Sequence, residues 1–414
     1  MPSLSPATPS RCEGAILYFF RKKVKVAALS FTFICRILTR GDGIIVLTPG
    51  DEYYILTCMI SKLELTNFTR FSKEVLKFSG GLNVFVGTNG TGKSHIMKLM
   101  YANHQAMRKE KDGPEVPTMG HIETKVAHRL VGVFKPDALG RLARRCQGHT
   151  RTQVAMHIRG ESRSHKDQEL SYTFSTRSQN AVNAECIPQT WVDCQSVFLP
   201  TREMLSIYPN FISTYDRVEI PFEETWRDLA KALGNPLPKG PHREGVNALV
   251  QPLEDALCGK IVLEQGRFYI RNKNGKVEAH LLAEGMRKIG TLAQLVVNGT
   301  LSKGSVLFWD EPEANLNPQL IVLVAQTIIG LVRQGLQVFI ATHSLFLLRQ
   351  LYLLAPQEHK EQQYRYFALG AAADELSEVS VSSSSSLEGL GEVASLSCQL
   401  DQDKQLMKLY SNGI

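Results

Sequence analysis

The chain has 414 residues, enough for one large α/β domain with an insertion or for two modest domains. Its apolar fraction of 43% and charged fraction of 21% argue against a mainly disordered or fibrous protein. The 47 Lys and Arg residues against 40 Asp and Glu residues give a net charge of +7, which fits a polyanionic partner, nucleotide binding or simple solubility. Composition therefore limits the class of protein and leaves its function open.

The cysteines and the N-terminal apolar runs predict neither a metal site nor a membrane segment. Eight cysteines are scattered, without Cys-x-x-Cys and without Cys/His spacing typical of zinc. We expect reduced, mostly buried thiols in a cytoplasmic protein. Apolar runs at 15–20 and 26–35 are separated by basic residues and are shorter than the roughly 18–20 residues that span a bilayer. Their order also fits a signal peptide poorly, so we expect no targeting and no membrane partner.

Regular patterning begins at Met59. Residues 1–58 show no clear period, and our hypothesis is that they form a poorly packed extension or upstream sequence that is not native. Residues 60–68 alternate like a strand, residues 73–78 predict a second strand, and 82–86 has the apolar, β-branched character of a buried strand. We therefore expect the folded domain to begin at Met59.

A glycine-rich loop follows the predicted strand 82–86 directly and precedes a predicted helix over 94–107. It reads Gly87-Thr88-Asn89-Gly90-Thr91-Gly92-Lys93-Ser94. The glycines let successive backbone N–H groups point at phosphates, at the positive end of the helix. Lys93 is expected at the β- and γ-phosphates of ATP, with a catalytic role, and Ser94 is expected to bind Mg²⁺. A P-loop alone also fits kinases, GTPases and many other folds.

Two carboxylates end an apolar strand predicted over 304–309. Asp310 is placed to hold Mg²⁺, and Glu311 is placed to act as the general base on the attacking water. An apolar run that ends in Asp-Glu also describes a capped edge strand. The P-loop upstream favours the catalytic interpretation.

A third apolar strand, predicted over 338–342, ends in His343 and Ser344. We predict that His343 senses the γ-phosphate and helps to hold the attacking water. A histidine after a strand is more often structural. The position of His343, at the same expected edge of the sheet, favours the catalytic interpretation.

Residues 111–194 are predicted to be an inserted basic subdomain. The segment begins in the Gly/Pro-rich stretch 112–117 and contains two alternating runs, 152–158 and 170–175, that predict an antiparallel hairpin. Its cations form either a solvated surface or a face for nucleic-acid phosphates. They are Lys125, Arg129, Lys135, Arg141, Arg144, Arg145, Arg151, Arg159, Arg163 and Lys166.

After the insertion, the buried-strand pattern resumes at 196–200. Helices are predicted near 222–233 and 245–258, and a hairpin is predicted from 260–264 to 267–271. Residues 371–414 are predicted to be a linker and tail, because 380–386 is a run of serines around one valine. A short amphipathic helix is predicted over 400–410.

The chain resembles the ABC-type AAA family ATPases of the RecF/SMC/OLD group over residues 59–110 and 195–370. The motifs are Leu-x-Asn-Phe at Leu65, Asn67 and Phe68, Gly-Leu-Asn-Val before the P-loop, Asp310-Glu311-Pro312-Glu313-Ala314-Asn315-Leu316-Asn317-Pro318, and Ala341-Thr342-His343-Ser344. The resemblance implies an α/β P-loop NTPase fold, with an ABC-ATPase-like mixed sheet flanked by helices and a small α+β insertion.

The resemblance also assigns roles. It implies that Asp310-Glu311 is the Walker B pair, that 313–318 is the D-loop and that His343 is the switch histidine. Residues 282–288 match the signature loop only in part, because Ala283-Glu284-Gly285 replaces the usual Ser-Gly-Gly. Glu284 and Gly285 would still offer backbone amides and a helix dipole to a γ-phosphate. An ordinary helix start is the alternative.

For the remaining loop and for the partners, family position suggests that Glu203 replaces the Q-loop glutamine. The resemblance further implies ATP-sandwich dimers or higher oligomers, with DNA and a separate nuclease or toxin subunit as candidate partners, in DNA repair or anti-phage defence. The alternatives are a slowly hydrolysing nucleotide-dependent scaffold and, disfavoured by these motifs, the ATPase subunit of a membrane transporter.

Overall fold

The computed structural model describes residues 36–40, 43–47, 59–145, 148–160, 167–239, 245–355, 363–371, 379–390 and 394–411. The chain divides into two compact units, Met1–Tyr54 and Ile55–Ile414. The extension predicted over 1–58 lies outside the described residues, apart from an antiparallel pair, β1 (Arg36–Arg40) and β2 (Gly43–Leu47). The sequence pattern does not predict this pair, because residues 43–47 show no polar alternation.

In the described residues, the strands of the second unit form three sheets and include those predicted from Met59 onward. They are β3 (Met59–Phe68), β4 (Phe71–Lys77), β5 (Leu82–Gly87), β6 (Arg151–Arg159), β7 (Gln168–Ser175), β8 (Asn183–Cys186), β9 (Ser196–Leu199), β10 (Lys260–Glu264), β11 (Arg267–Asn272), β12 (Gly275–Glu278), β13 (Val306–Asp310), β14 (Gln337–Thr342), β15 (Tyr364–Ala371) and β16 (Val379–Ser384). The predicted hairpins are confirmed as the antiparallel pairs β6/β7 and β10/β11.

Helices connect and cover these strands. They are α1 (Lys93–Ala106), α2 (Met119–Phe134), α3 (Phe211–Arg217), α4 (Glu224–Leu233), α5 (Val246–Ala256), α6 (Glu284–Val297), α7 (Pro318–Arg333), α8 (Leu345–Leu354) and α9 (Ala394–Ser411). Across the described part of the chain, no helix has both the length and the apolar character needed to cross a bilayer.

The main sheet has the strand order β16-β15-β5-β14-β13-β9 in the described residues. From β15 to β9 neighbouring strands are parallel, and only β16 runs antiparallel. Alternate side chains of β5 enter different cores, with Val84 packing among the side chains of α4 to α8 and Phe85 among those of α1 and α2. The sheet is thus buried on both faces, and its parallel strands end at one edge.

The predicted inserted subdomain is not a separate layer. A second sheet has the order β4-β3-β6-β7-β8, in which β6 pairs with β3 from Met59↔Arg159 to Thr66↔Gln153. Strands from 151–186 therefore complete a sheet that the N-terminal part of the domain begins. The boundaries at 111 and 194 stay a prediction.

The predicted C-terminal linker is wrong for residues 379–384. These residues form β16, which pairs with β15 from Ala371↔Val379 to Tyr366↔Ser384. Serine side chains are short enough to lie on an exposed edge strand, and backbone hydrogen bonds need no apolar side chain. The predicted helix over 400–410 is confirmed within α9, which begins earlier than predicted.

The prediction of mostly buried cysteines is wrong for the three that the structure describes in detail. Cys258 is exposed, and Cys186 and Cys194 are half-buried. Cys258 lies in the turn between α5 and β10, with φ +52°. Cys194 Sγ lies 3.1 Å from Nε2 of the buried His104.

Burial of His104 makes stability pH-dependent. Desolvation, with a smaller contribution from nearby Arg108, lowers the pKa of His104 from 6.5 to about 3. Between those two values the unfolded chain binds a proton that the folded chain does not, so the free energy of unfolding should fall as pH falls below 6.5. The slope attributable to one proton is about 1.4 kcal/mol per pH unit. Urea unfolding of wild type and His104→Gln between pH 4 and 7 checks this, and equal slopes would contradict it.

Candidate functional site

The glycine-rich loop 87–94 lies where β5 ends, between β14 and β15. Gly90 and Gly92 have φ of +79° and +90°, which L side chains rarely adopt. A Cβ on Gly87 would approach the Leu369 carbonyl oxygen to 2.5 Å. Gly92 is the N-cap of α1, so the loop curls tightly and ends at a helix N-terminus. This is the geometry that presents backbone N–H groups to phosphate.

Lys93 is buried, with 6% of its surface exposed. Its Nζ donates hydrogen bonds to the carbonyl oxygens of Gly87 and Thr88, each at 2.8 Å. Desolvation lowers the pKa of Lys93, and the negative charges of Asp310 and Glu311 oppose that shift. The loop and the carboxylates thus hold an ammonium group at the mouth of the loop.

Two residues that the sequence analysis did not single out also support this loop. Arg70, in the turn between β3 and β4, donates a hydrogen bond from Nη1 to the Gly90 carbonyl oxygen. A Cβ on Gly92 would come within 2.7 Å of the Phe71 ring. The available sequence signal is their position just after Asn67 and Phe68, which open the family resemblance. The turn of the second sheet therefore packs against the loop.

Asp310 ends β13 and faces the first turn of α1. It forms a hydrogen bond with the Ser94 hydroxyl, and burial raises the pKa of Asp310 although this bond lowers it. Its Oδ1 is buried and has no hydrogen-bond partner among the described residues. An unsatisfied carboxylate oxygen beside a serine hydroxyl is an appropriate donor set for Mg²⁺, which prefers oxygen ligands.

Glu311 follows in a left-handed conformation, with φ +47°. Its backbone N–H donates to the Ala341 carbonyl oxygen at 2.9 Å, which ties it to the end of β14. Its Oε1 lies 3.2 Å from His343 Nδ1. The side chain remains 27% exposed, so the carboxylate is oriented and still reaches solvent. Such a group can accept a proton from a bound water.

His343 directly follows β14 and is half-exposed, 48% by side chain. The adjacent Thr342 donates from Oγ1 to Glu313 Oε1 at 2.6 Å and accepts from the Ser344 N–H at 3.0 Å. These bonds fix the backbone on both sides of the histidine. The structure thus brings together Lys93 and Ser94, Asp310 and Glu311, and His343, as expected from parallel strands that end at one edge.

Glu284 and Gly285 lie at the beginning of α6, and Gly285 packs on the loop that follows Glu311. A Cβ on Gly285 would approach the Asn315 carbonyl oxygen to 2.9 Å. Two left-handed residues, Glu311 and Asn315, shape that loop. Asn317 then caps α7, accepting a hydrogen bond from the Leu320 N–H at 2.9 Å. The contact of Glu284 and Gly285 with a phosphate stays a prediction.

The predicted Q-loop residue is engaged elsewhere in this structure. Glu203 is 8% exposed, and its Oε1 lies 2.7 Å from Nε of Arg287 in α6. Its Oε2 accepts from the Ser206 N–H at 3.1 Å. Arg287 in turn donates to the Leu282 carbonyl oxygen at 2.7 Å. Glu203 therefore anchors the segment before α6.

The arrangement as a whole fits a nucleoside triphosphate with Mg²⁺. The loop supplies N–H groups and an ammonium for phosphates, and the cradle at Gly87 and Gly92 leaves no room for a side chain. Ser94 and Asp310 supply oxygens for the metal, and Asp310 Oδ1 is unsatisfied within the described residues. Glu311 and His343 lie 3.2 Å apart, an arrangement that fits a pair acting on a bound water. The fold is that of a P-loop NTPase with an ABC-ATPase-like sheet.

Comparisons with known proteins agree with this geometry. One family model, described as AAA ATPase domain, matches residues 59–191, and another, described as AAA domain, putative AbiEii toxin, Type IV TA system, matches residues 194–349. No curated protein matches the chain.

Solved structures similar to this chain include SMC heads. The SMC head domain from Thermotoga maritima is 14% identical, with a TM-score of 0.44 over 78% of this chain and 98% of that one. An Smc head domain bound to the C-terminal domain of ScpA, from Pyrococcus furiosus, is 13% identical, with a TM-score of 0.46 over 84% and 100%. An SmcHead bound to the C-winged helix domain of ScpA is 14% identical, with a TM-score of 0.49 over 80% and 98%.

Proposed function

We propose that this chain works by a cycle of nucleotide-dependent dimerisation. It belongs to the ABC-type AAA family ATPases of the RecF/SMC/OLD group and hydrolyses ATP. We place that cycle in the cytoplasm, in DNA repair or anti-phage defence, beside a separate nuclease or toxin subunit. The observation that carries the proposal is the convergence of Lys93, Asp310, Glu311 and His343 at one sheet edge.

Each residue has a chemical task in the proposed reaction. The N–H groups of 87–94 and the Lys93 ammonium bind the β- and γ-phosphates and stabilise negative charge there. Ser94 and Asp310 would hold Mg²⁺, which when bound neutralises charge on the phosphate oxygens. Glu311 takes a proton from the attacking water. His343, which lies 3.2 Å from Glu311, helps to hold that water.

Dimerisation is proposed to complete the site. Glu284 and Gly285 begin α6, so their backbone amides lie at the positive end of a helix dipole, where a γ-phosphate of the partner's ATP would bind. Ala283 and Glu284 supply no serine hydroxyl, and Glu284 adds negative charge at that end. This altered signature favours slow hydrolysis and supports, as the second candidate, an ATP-switched scaffold.

The setting in defence is supported by one matching family model, whose description names a putative AbiEii toxin of a type IV system. Nucleic acid as a partner is supported by arginines of the second sheet and its preceding loop. Lys125 and Arg129, counted among the basic residues by the sequence analysis, do not belong to that surface. Lys125 lies 3.4 Å from Glu110, and Arg129 lies 2.9 Å from Asp228. Arg144 is half-buried, and Arg163 and Lys166 lie outside the described residues. Among the described residues of this set, the exposed cations that remain are Lys135, Arg141, Arg145, Arg151 and Arg159.

ATP hydrolysis measured with and without double-stranded DNA, at several salt concentrations, tests the DNA part of this function. We expect DNA to raise the rate at low salt and Arg141→Ala with Arg145→Ala to remove most of that increase, since phosphate contacts release counterions. The matched control is Lys239→Ala with Lys273→Ala, which removes two exposed charges elsewhere. Equal responses of the two double variants would exclude this surface. No response of wild type to DNA, with ATP-dependent dimers intact, would favour the scaffold.

A further inference from the structure

Lys288 is a buried cation that joins α6 to the loop carrying Glu311. It is 4% exposed and lies four residues after Glu284, on the first turns of α6. Its Nζ donates hydrogen bonds to the carbonyl oxygens of Ala314, at 2.9 Å, and of Glu311, at 3.1 Å. Lys288 therefore belongs to α6 and is hydrogen-bonded to the backbone of Glu311, the proposed general base.

The loop to which Lys288 donates hydrogen bonds contains residues in an uncommon backbone conformation. Glu311 and Asn315 have φ of +47° and +61°, in the left-handed region that residues other than glycine keep only when their surroundings fix it. The Glu311 carbonyl oxygen also accepts from the Ala314 N–H at 3.1 Å, which closes a turn. Lys288 adds a charged donor on both sides of this turn. The direction of the Glu311 side chain follows from that backbone.

Electrostatics point the same way. Burial lowers the pKa of Lys288 from 10.5 to about 8, and four surrounding carboxylates oppose that shift and favour the charged ammonium. They are Glu313, Glu284, Glu311 and Asp310. Without this cation, less positive charge would offset the mutual repulsion of the carboxylates of Asp310, Glu311 and Glu313.

We propose that Lys288 is a positioning residue, which transmits contact at Glu284 and Gly285, the N-terminus of α6, to Glu311 of its own chain. This rests on the proposed function, in which the partner's nucleotide binds that segment. A partner nucleotide that fixes the N-terminus of α6 also fixes Lys288, and Lys288 fixes the Glu311 backbone. Binding at one site of the dimer thereby readies the general base of the other site.

Steady-state kinetics of Lys288→Met and Lys288→Arg give the first test. Methionine keeps the length and removes the charge and donors, so kcat should fall about 10- to 100-fold, as for other supporting residues. KM and the affinity for a fluorescent ATP analogue should stay nearly constant, and arginine should restore part of kcat. A KM increase with unchanged kcat would overturn the proposal.

Mixed dimers with Glu311→Gln chains separate the two possible sites of action. In the first mixture Lys288→Met is on the chain that keeps Glu311, and in the second it is on the Glu311→Gln chain. We expect ATPase activity to be low in the first mixture. In the second it should equal that of a dimer of one wild-type chain and one Glu311→Gln chain. The reverse pattern would overturn the assignment to the chain's own base.

Hydrogen exchange keeps the proposal testable whatever the kinetics show. Amides of 311–317 should exchange faster in Lys288→Met than in wild type or Lys288→Arg, with circular dichroism unchanged, and without nucleotide. Unchanged exchange would overturn the role of Lys288. Absence of ATP-dependent dimers in Glu311→Gln, with faster loop exchange in Lys288→Met, would refute the proposed dimer cycle and leave the positioning contact standing.

Discussion

Lys93→Ala is expected to abolish ATP binding. Lys93 supplies a buried ammonium beside the loop, and charge-assisted hydrogen bonds contribute about 1.5–3 kcal/mol each. Loss of two contacts with phosphate oxygens would therefore weaken affinity by at least about 100-fold. Equilibrium binding of a fluorescent ATP analogue measures this directly. ATP-dependent dimers should disappear together with binding.

The control for this variant is Lys111→Ala, which removes an exposed lysine. It should bind ATP as wild type does. Lys93→Ala should remain folded, because the carbonyl oxygens of Gly87 and Thr88 that Lys93 now contacts lie in a loop at the sheet edge. Wild-type ATP affinity in a folded Lys93→Ala protein would refute the assignment of 87–94 as the phosphate site.

Glu311→Gln is expected to separate binding from hydrolysis. Glutamine keeps the length of the side chain and an oxygen that can face His343, now 3.2 Å from Glu311, but it cannot take a proton from water. Loss of a general base typically lowers the rate about 100- to 10,000-fold. ATP affinity should be retained, and ATP should convert the protein to stable dimers. Single-turnover hydrolysis and sedimentation velocity measure both effects.

Glu219→Gln, at an exposed glutamate, is the matched control and should hydrolyse ATP as wild type does. Rapid hydrolysis by Glu311→Gln would refute the base assignment. Slow hydrolysis without ATP-dependent dimers would preserve the base and refute the sandwich.

The sequence predicts the site better than it predicts the fold around it. Asp310 ends a buried parallel strand, and Lys93 and His343 each come after one; parallel strands with one orientation end at one edge. Local pattern therefore suffices to bring them together. The contact of Arg70 with Gly90 could not be predicted in this way. It joins two sheets across a turn whose direction no local pattern specifies.

Long-range pairing accounts for the larger discrepancies. Nothing local indicates that β6 pairs with β3, since Leu65 and Val154 lie far apart in the chain. The serines of 380–386 look like a linker by composition, although the backbone of 379–384 extends the main sheet. Lys288 looks like one more charge on a helix face, and only packing shows that α6 buries it against the loop after Glu311.

The shared sheet of β3 and β6 limits how this protein can be dissected. Deleting 111–194 would uncover the backbone N–H and C=O groups of β3 along nearly its whole length, together with buried Leu63 and Leu65. An uncovered, partly apolar strand edge is a template for aggregation. Neither 59–110 nor 111–194 contains all the strands of this sheet, so domain-mapping experiments should use point variants in the full chain. Tags or reporters are better placed in exposed loops than at the predicted insertion boundaries.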